Sequence, residues 1–211
     1  QIAEERETVM GSILDVLSQG LDADTTSRIG KLAGGSPETT GSLVSAALPL
    51  LLSALARNAS RPEGAEALHQ AVVRDHSGEI LDNVPERLAD PRVADDGAGI
   101  LRHVLGDQEG AVEQALAART GVDTASAARV LQMVAPLVMG ALGRATRGQG
   151  LDAGGLASLL GNEQQEVRQA APDVMGLLGS LLGGDAPGGS SAQSGQGNAL
   201  GGLLNSLLGR R

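Results

Sequence analysis

Phenylalanine, tyrosine, tryptophan and cysteine are all missing from this chain of 211 residues. Each absence removes a class of function. Without aromatic rings there is no platform for stacking the bases of a single-stranded nucleic acid, and no cage for a quaternary ammonium group. Without thiols there is no disulfide, no thiolate nucleophile and no thiolate zinc site. Positive charge is also scarce. Sixteen Lys+Arg stand against 25 Asp+Glu, for a formal net charge of −9, and Lys31 is the lone lysine. A chain so acidic lacks the basic face that phosphate neutralisation needs, so nucleic acid is not expected as a partner.

Long apolar runs are absent as well. The longest, around residues 46–52, is far short of the roughly 20 residues that cross a bilayer. The start, "QIAEERETVMGSILDVL", is acidic and lacks the basic-then-apolar order of a secretory signal. Met10 reads as the native start, and the cytoplasm is the expected location.

What is present is an aliphatic palette. The hydrophobic fraction is 41%, drawn from Leu, Val, Ile, Ala and Met, which suits close helix packing and gives few strand signals. An all-α fold is expected, and the length allows one ample domain or two small ones.

The chain also contains part of itself twice. Pro49 in "AALPLLLSALARNA" and Pro136 in "MVAPLVMGALGRAT" stand 136 − 49 = 87 positions apart. At that offset Leu50 meets Leu137, Ala54 meets Ala141, Leu55 meets Leu142 and Arg57 meets Arg144. Upstream, Gly34 meets Gly121, Ser36 meets Asp123, Thr39 meets Ser126 and Leu43 meets Val130. Such repetition predicts two pseudo-symmetric helical units, approximately residues 25–72 and 112–161, packed as an orthogonal or bundle-like array. Each unit reads as helix, glycine turn, long helix. Gly121 closes a helix and Asp123 caps the next; Ser36, Pro37 and Glu38 supply a cap, a first-position proline and a first-turn acid. Val130, Val134, Leu137 and Ala141 share one helical face. A proline inside a helix costs about 3 kcal/mol, so Pro49 and Pro136 mark either a shared kink held by packing or a break between two shorter helices.

Between the units, "PEGAEALHQAVVRD" reads as a short amphipathic helix with Pro62 just inside its start. "DHSGEIL" from Asp75 and "DDGAGIL" from Asp95 resemble one another, and each is expected to open a capped helix. Past residue 183 the composition changes. Residues 184–199 form a Gly-rich linker, and residues 200–211 a short amphipathic helix with Leu200, Leu203, Leu204, Leu207 and Leu208 on one stripe. Residues 1–183 are expected to form the helical domain.

The ordered set "LPLLLSALARNASRPEGAEALHQAV", "DHSGEILDN", "DDGAGILRHVLG", "APLVMGALGR" and "GLDAGGLASLLG" resembles the bacterial YidB-like family of uncharacterised helical proteins. The resemblance covers roughly residues 40–161. It implies an all-α fold and a Leu/Gly-rich C-terminal region, and it carries no established activity and no catalytic residue.

Candidate chemistry is sparse. With Gly78 at the sixth position of an EF-hand loop, Val73 and Val84 fall at the first and twelfth, where oxygen ligands are required. His69, His76 and His103, with Asp75 and Asp82, are the residues from which a nitrogen–oxygen metal site could be assembled, although none has tight ligand spacing and no metal or other cofactor is expected. Helix capping and turn formation account for the acidic loops. There is no GxSxG elbow, Walker loop or dinucleotide fingerprint. Arg57 and Arg144 suit helix C-terminal dipoles, or pairing with a nearby Asp or Glu, better than an anion site. The expectation is a non-enzymatic interaction or assembly protein, with a second copy or another protein seated on the Leu-rich tail. A membrane surface is the alternative partner for that tail, and a metal at the central histidines is the third reading.

Overall fold

The structure, a computed structural model, describes residues 13–170 and Gly176. The Gly-rich linker and the leucine stripe at 200–208 lie outside the described residues. In chain order the helices are α1 (Ile13–Gly20), α2 (Ala23–Ala33), α3 (Pro37–Ala59), α4 (Pro62–Asp75), α5 (Val84–Arg87), α6 (Pro91–Leu105), α7 (Glu109–Thr120), α8 (Thr124–Gln149) and α9 (Ala153–Ala170). Short 3-10 turns occupy Glu79–Asp82 and Gly106–Gln108. Among the described residues there is no strand, and the fold is all-α.

The two long helices begin alike. The Ser36 side chain accepts the Thr39 N–H, and the Asp123 side chain accepts the Ser126 N–H. Each cap follows a glycine in the left-handed region, Gly34 at φ 85° and Gly121 at φ 73°, a conformation that a Cβ would penalise. α4 starts at Pro62, as expected. "DDGAGIL" is different. Asp95 and Asp96 lie inside α6, which opens four residues earlier at Pro91, with Asp90 accepting the Arg92 N–H. The Asp-Pro pair at 90–91 is the actual start signal. "DHSGEIL" straddles an end and a start: α4 stops at Asp75, and Gly78, at φ 92°, leads into the 3-10 turn.

α3 and α8 run through the middle. α3 packs on α2, α4, α7, α8 and α9, while α8 packs on α1, α2, α4, α6 and α7. Leu50, Leu51, Leu52, Leu131, Leu137 and Leu142 are sealed inside a core that holds no aromatic ring. Both helices are long and apolar enough to cross a bilayer, but 78% of the apolar window of each is buried among the other helices, which is how a core helix behaves.

Neither proline breaks its helix. A proline frees the carbonyl four residues earlier, because it has no N–H to offer it. For Pro136 that carbonyl is Gln132, and it meets Gly97 of α6: a methyl group placed on Gly97 would lie 1.7 Å from the Gln132 oxygen. The glycine therefore aims a Cα–H at the freed carbonyl, a weak hydrogen bond of the kind found where helices touch closely. For Pro49 the freed carbonyl belongs to Ser45, an exposed residue, which solvent reaches.

Candidate functional site

The most closely fitted feature near the expected site residues is the turn that leaves α4. It crosses α8 where that helix has no side chains. A methyl group on Gly143 would lie 1.7 Å from the His76 carbonyl oxygen, and one on Gly140 would lie 2.5 Å from Ile80 Cγ2. Two glycines thus cut a notch in α8 into which the backbone of residues 76–80 settles. Arg144, one residue beyond the notch, fastens it by donating to the Gly78 carbonyl at 2.9 Å and to the Asp82 carboxylate. The ion pair is surface-exposed, with side chains 46% and 68% accessible, so its attraction is modest. Its role is to clip the turn in place.

Beside the turn is a cavity of about 180 Å³ lined by Asp75, His76, Glu79, Arg87, Asp96 and Pro136, among others. His76 Nδ1 stands 3.9 Å from Asp96 Oδ2, and the His76 side chain is nearly covered. Arg74 grips Asp75 through Nε at 3.0 Å and Nη2 at 2.8 Å; these hydrogen bonds hold the Asp75 carboxyl below its usual range. Hydrogen bonds from the Arg92 side chain and then its backbone do the same to Asp90.

The histidines are dispersed. His69 Nε2 lies 3.0 Å from the Leu151 carbonyl and ties α4 to the loop before α9. His76 ends α4. His103 lines another cavity, of about 250 Å³, with Arg57, Asn58 and Arg61, where Asn58 Nδ2 donates to the Val104 carbonyl at 3.0 Å. Asp82 is engaged by Arg144. Among the described residues no three His, Asp or Glu side chains gather as a metal set would. His76 and Asp75 share a cavity, whereas His69 and His103 do not join them. Arg57 sits in the last turn of α3, where a cation suits the helix dipole.

Sequence reasoning missed Gly97 and Gly143, and took Gly140 as a place for another helix to approach, where a turn does so instead. The signal was available: a glycine in a helix interior costs about 1 kcal/mol relative to alanine, so each one inside a helical pattern calls for a packing reason. It also missed that Asp96 stands against His76, because Asp95 and Asp96 were placed at a helix start.

A family model described as "Bacterial protein of unknown function (DUF937)" matches residues 15–145, more than half of the chain. The protein belongs to this family. YidB is a member of it, in agreement with the resemblance carried by the ordered motifs. Neither curated proteins nor solved structures yield a match.

Proposed function

We propose that the protein is a non-enzymatic helical assembly protein, built from two copies of one helical unit and joined to further copies of itself through its C-terminal leucines. The observation that carries this reading is the spacing of Leu200, Leu203, Leu204, Leu207 and Leu208 in the sequence, which would set all five on one face of a helix. The helical body supports it. Among the described residues Leu32 and Val73 are the large hydrophobics that stay exposed, and most of the other leucines serve the core. A further apolar stripe has a natural place in a groove at an interface, as helix-in-groove recognition does elsewhere. A helix so short and rich in glycine is not stable alone, and the preceding Gly/Ser-rich segment is long enough to let it reach a neighbouring molecule. The matched caps at Ser36 and Asp123, each behind a left-handed glycine, support the duplicated unit.

The test compares the solution mass of the full chain with that of a chain ending at Gly184, by size exclusion with light scattering. Refractive index serves as the concentration detector, because a chain without Trp or Tyr hardly absorbs at 280 nm. An oligomer that falls to monomer on truncation is the expected result. Equal masses would overturn assembly through the tail, and co-sedimentation of the full chain with anionic vesicles, lost on truncation, would assign the leucines to a membrane surface.

A further inference from the structure

α6 has two working faces. Its inner face is pressed onto α8 through Gly97 and Leu101, both buried. Its outer face is exposed and carries Asp95, Asp96, Gly99, Arg102 and His103. These five are symmetric in spacing and complementary in chemistry about Gly99: acids lie four and three residues before it, and the Arg102 cation and the His103 ring N–H donor three and four residues after it. At 100° per residue all five fall within an arc of roughly 120°. Asp95 and Arg102 share one stripe, and Asp96 and His103 the other.

The pairs cannot satisfy one another within the helix. Partners on a helix surface meet at three or four residues; these are seven apart, about 10 Å along the axis. No hydrogen bond or ion pair joins Asp95, Arg102 or His103 to another described residue, and Asp96 has only the 3.9 Å approach to His76. A second α6 laid antiparallel, with a two-fold axis at Gly99, satisfies all of them. Arg102 then faces the second copy's Asp95, His103 faces the second copy's Asp96, and the reciprocal pairs form by symmetry. Gly99 supplies the closeness that this crossing needs. A methyl group there would meet nothing within 4 Å in its own chain, so the glycine is not required by the fold itself. Like helices laid parallel would set acid against acid and base against base, so the pattern also selects the antiparallel arrangement.

We infer that the outer face of α6 is an isologous contact through which two copies of this chain pair antiparallel about Gly99, by charge complementarity. The contact is independent of the tail. A single helix face is smaller than the interface of a stable dimer, and its charges are solvent-exposed, so pairing is weak and falls with rising salt.

The absence of cysteine makes the test clean. In Gly99→Cys, made in the full chain, the new thiol sits on the two-fold axis, and mild oxidation is expected to give a disulfide-linked dimer; a cysteine at exposed Gln114 on α7 is expected to give little. Adding Asp95→Arg with Asp96→Arg, or instead Arg102→Asp with His103→Asp, should remove the cross-link from each chain alone, because like charges then face each other. An equimolar mixture of the two reversed chains should restore it. Circular dichroism at 222 nm checks that each variant is folded. No cross-link at position 99, or one that survives reversal in the unmixed chains, would overturn the contact. Truncation at Gly184 leaves this cross-link in place, so failure of the tail reading and failure of this one are separately visible.

Discussion

α3 and α8 place a proline at the same point of a long buried helix, yet they receive different neighbours. Downstream of Pro49 the small positions are Ser53 and Ala56, both buried, and the partner across them is another helix, α9, whose Gln164 donates to the Ser53 carbonyl at 3.4 Å. At the same positions after Pro136 stand Gly140 and Gly143, and what they receive is the bare backbone of the turn at 76–80. A Cβ keeps a helix at a distance suited to side-chain packing, whereas its removal admits a peptide chain edge-on. Two small side chains, the hydroxymethyl of Ser53 and the methyl of Ala56, therefore separate a face that carries a helix from one that carries a turn.

The largest expected effect breaks this contrast directly. Gly143→Ala and Gly97→Ala each push a methyl group into a backbone carbonyl, and each should cost about 3 kcal/mol or more. Ala56→Gly, which gives α3 the α8 residue, should cost only about 1 kcal/mol. Urea unfolding followed at 222 nm measures all three, and equal losses would mean that the notch is not what holds the turn. Next in size is Gly140→Ala, whose nearest obstacle is the side chain of Ile80; a loss of about 1–2 kcal/mol is expected. Combining it with Ile80→Ala should give less than the sum of the two single losses, because the obstacle is then gone.

A smaller difference separates the prolines. Pro49→Ala lets the Ser45 carbonyl regain a helical hydrogen bond, while Pro136→Ala disturbs the carbonyl on which Gly97 rests. Pro49→Ala should be the more favourable of the two by about 1 kcal/mol, the scale of a Cα–H contact. The smallest effect is at the caps. Hydrogen bonds from the Ser126 side chain and backbone hold the Asp123 carboxyl below its usual value of 3.8, so its contribution is complete above that pH and is lost as pH falls through the lower folded value. Ser36 has no such titration. The melting-temperature gap between the protein and Asp123→Ala should therefore close in acid, while the gap to Ser36→Ala stays constant.

Local chemistry was legible where the signal was local. Ser36-Pro37, Gly121 with Asp123, and Pro62 marked helix ends in the sequence, because capping depends on residues within one turn. Asp95-Asp96 misled, since acid before glycine is a start signal only if no helix is already running, and Asp90-Pro91 had started one. The placement of His69, His76 and His103 in three different neighbourhoods was not legible, because it depends on how α4, α6 and α9 meet. Nor was the use of Gly97, whose only local signature is a cost.

The Ile13 N–H donates to Glu163 Oε1 at 2.8 Å across a sequence separation of 150 residues, and that carboxylate is buried. On a ribosome this bond sets an order of events. At about 5–20 residues per second, α1 waits roughly 8 to 30 seconds after its own emergence for Glu163, which accepts its first N–H. During most of that interval Ile13 and Leu17, both sealed in the finished protein, also lack α8, the helix on which α1 packs. Among the described helices, α1 is thus one of the last to be settled, although it is the first to be made.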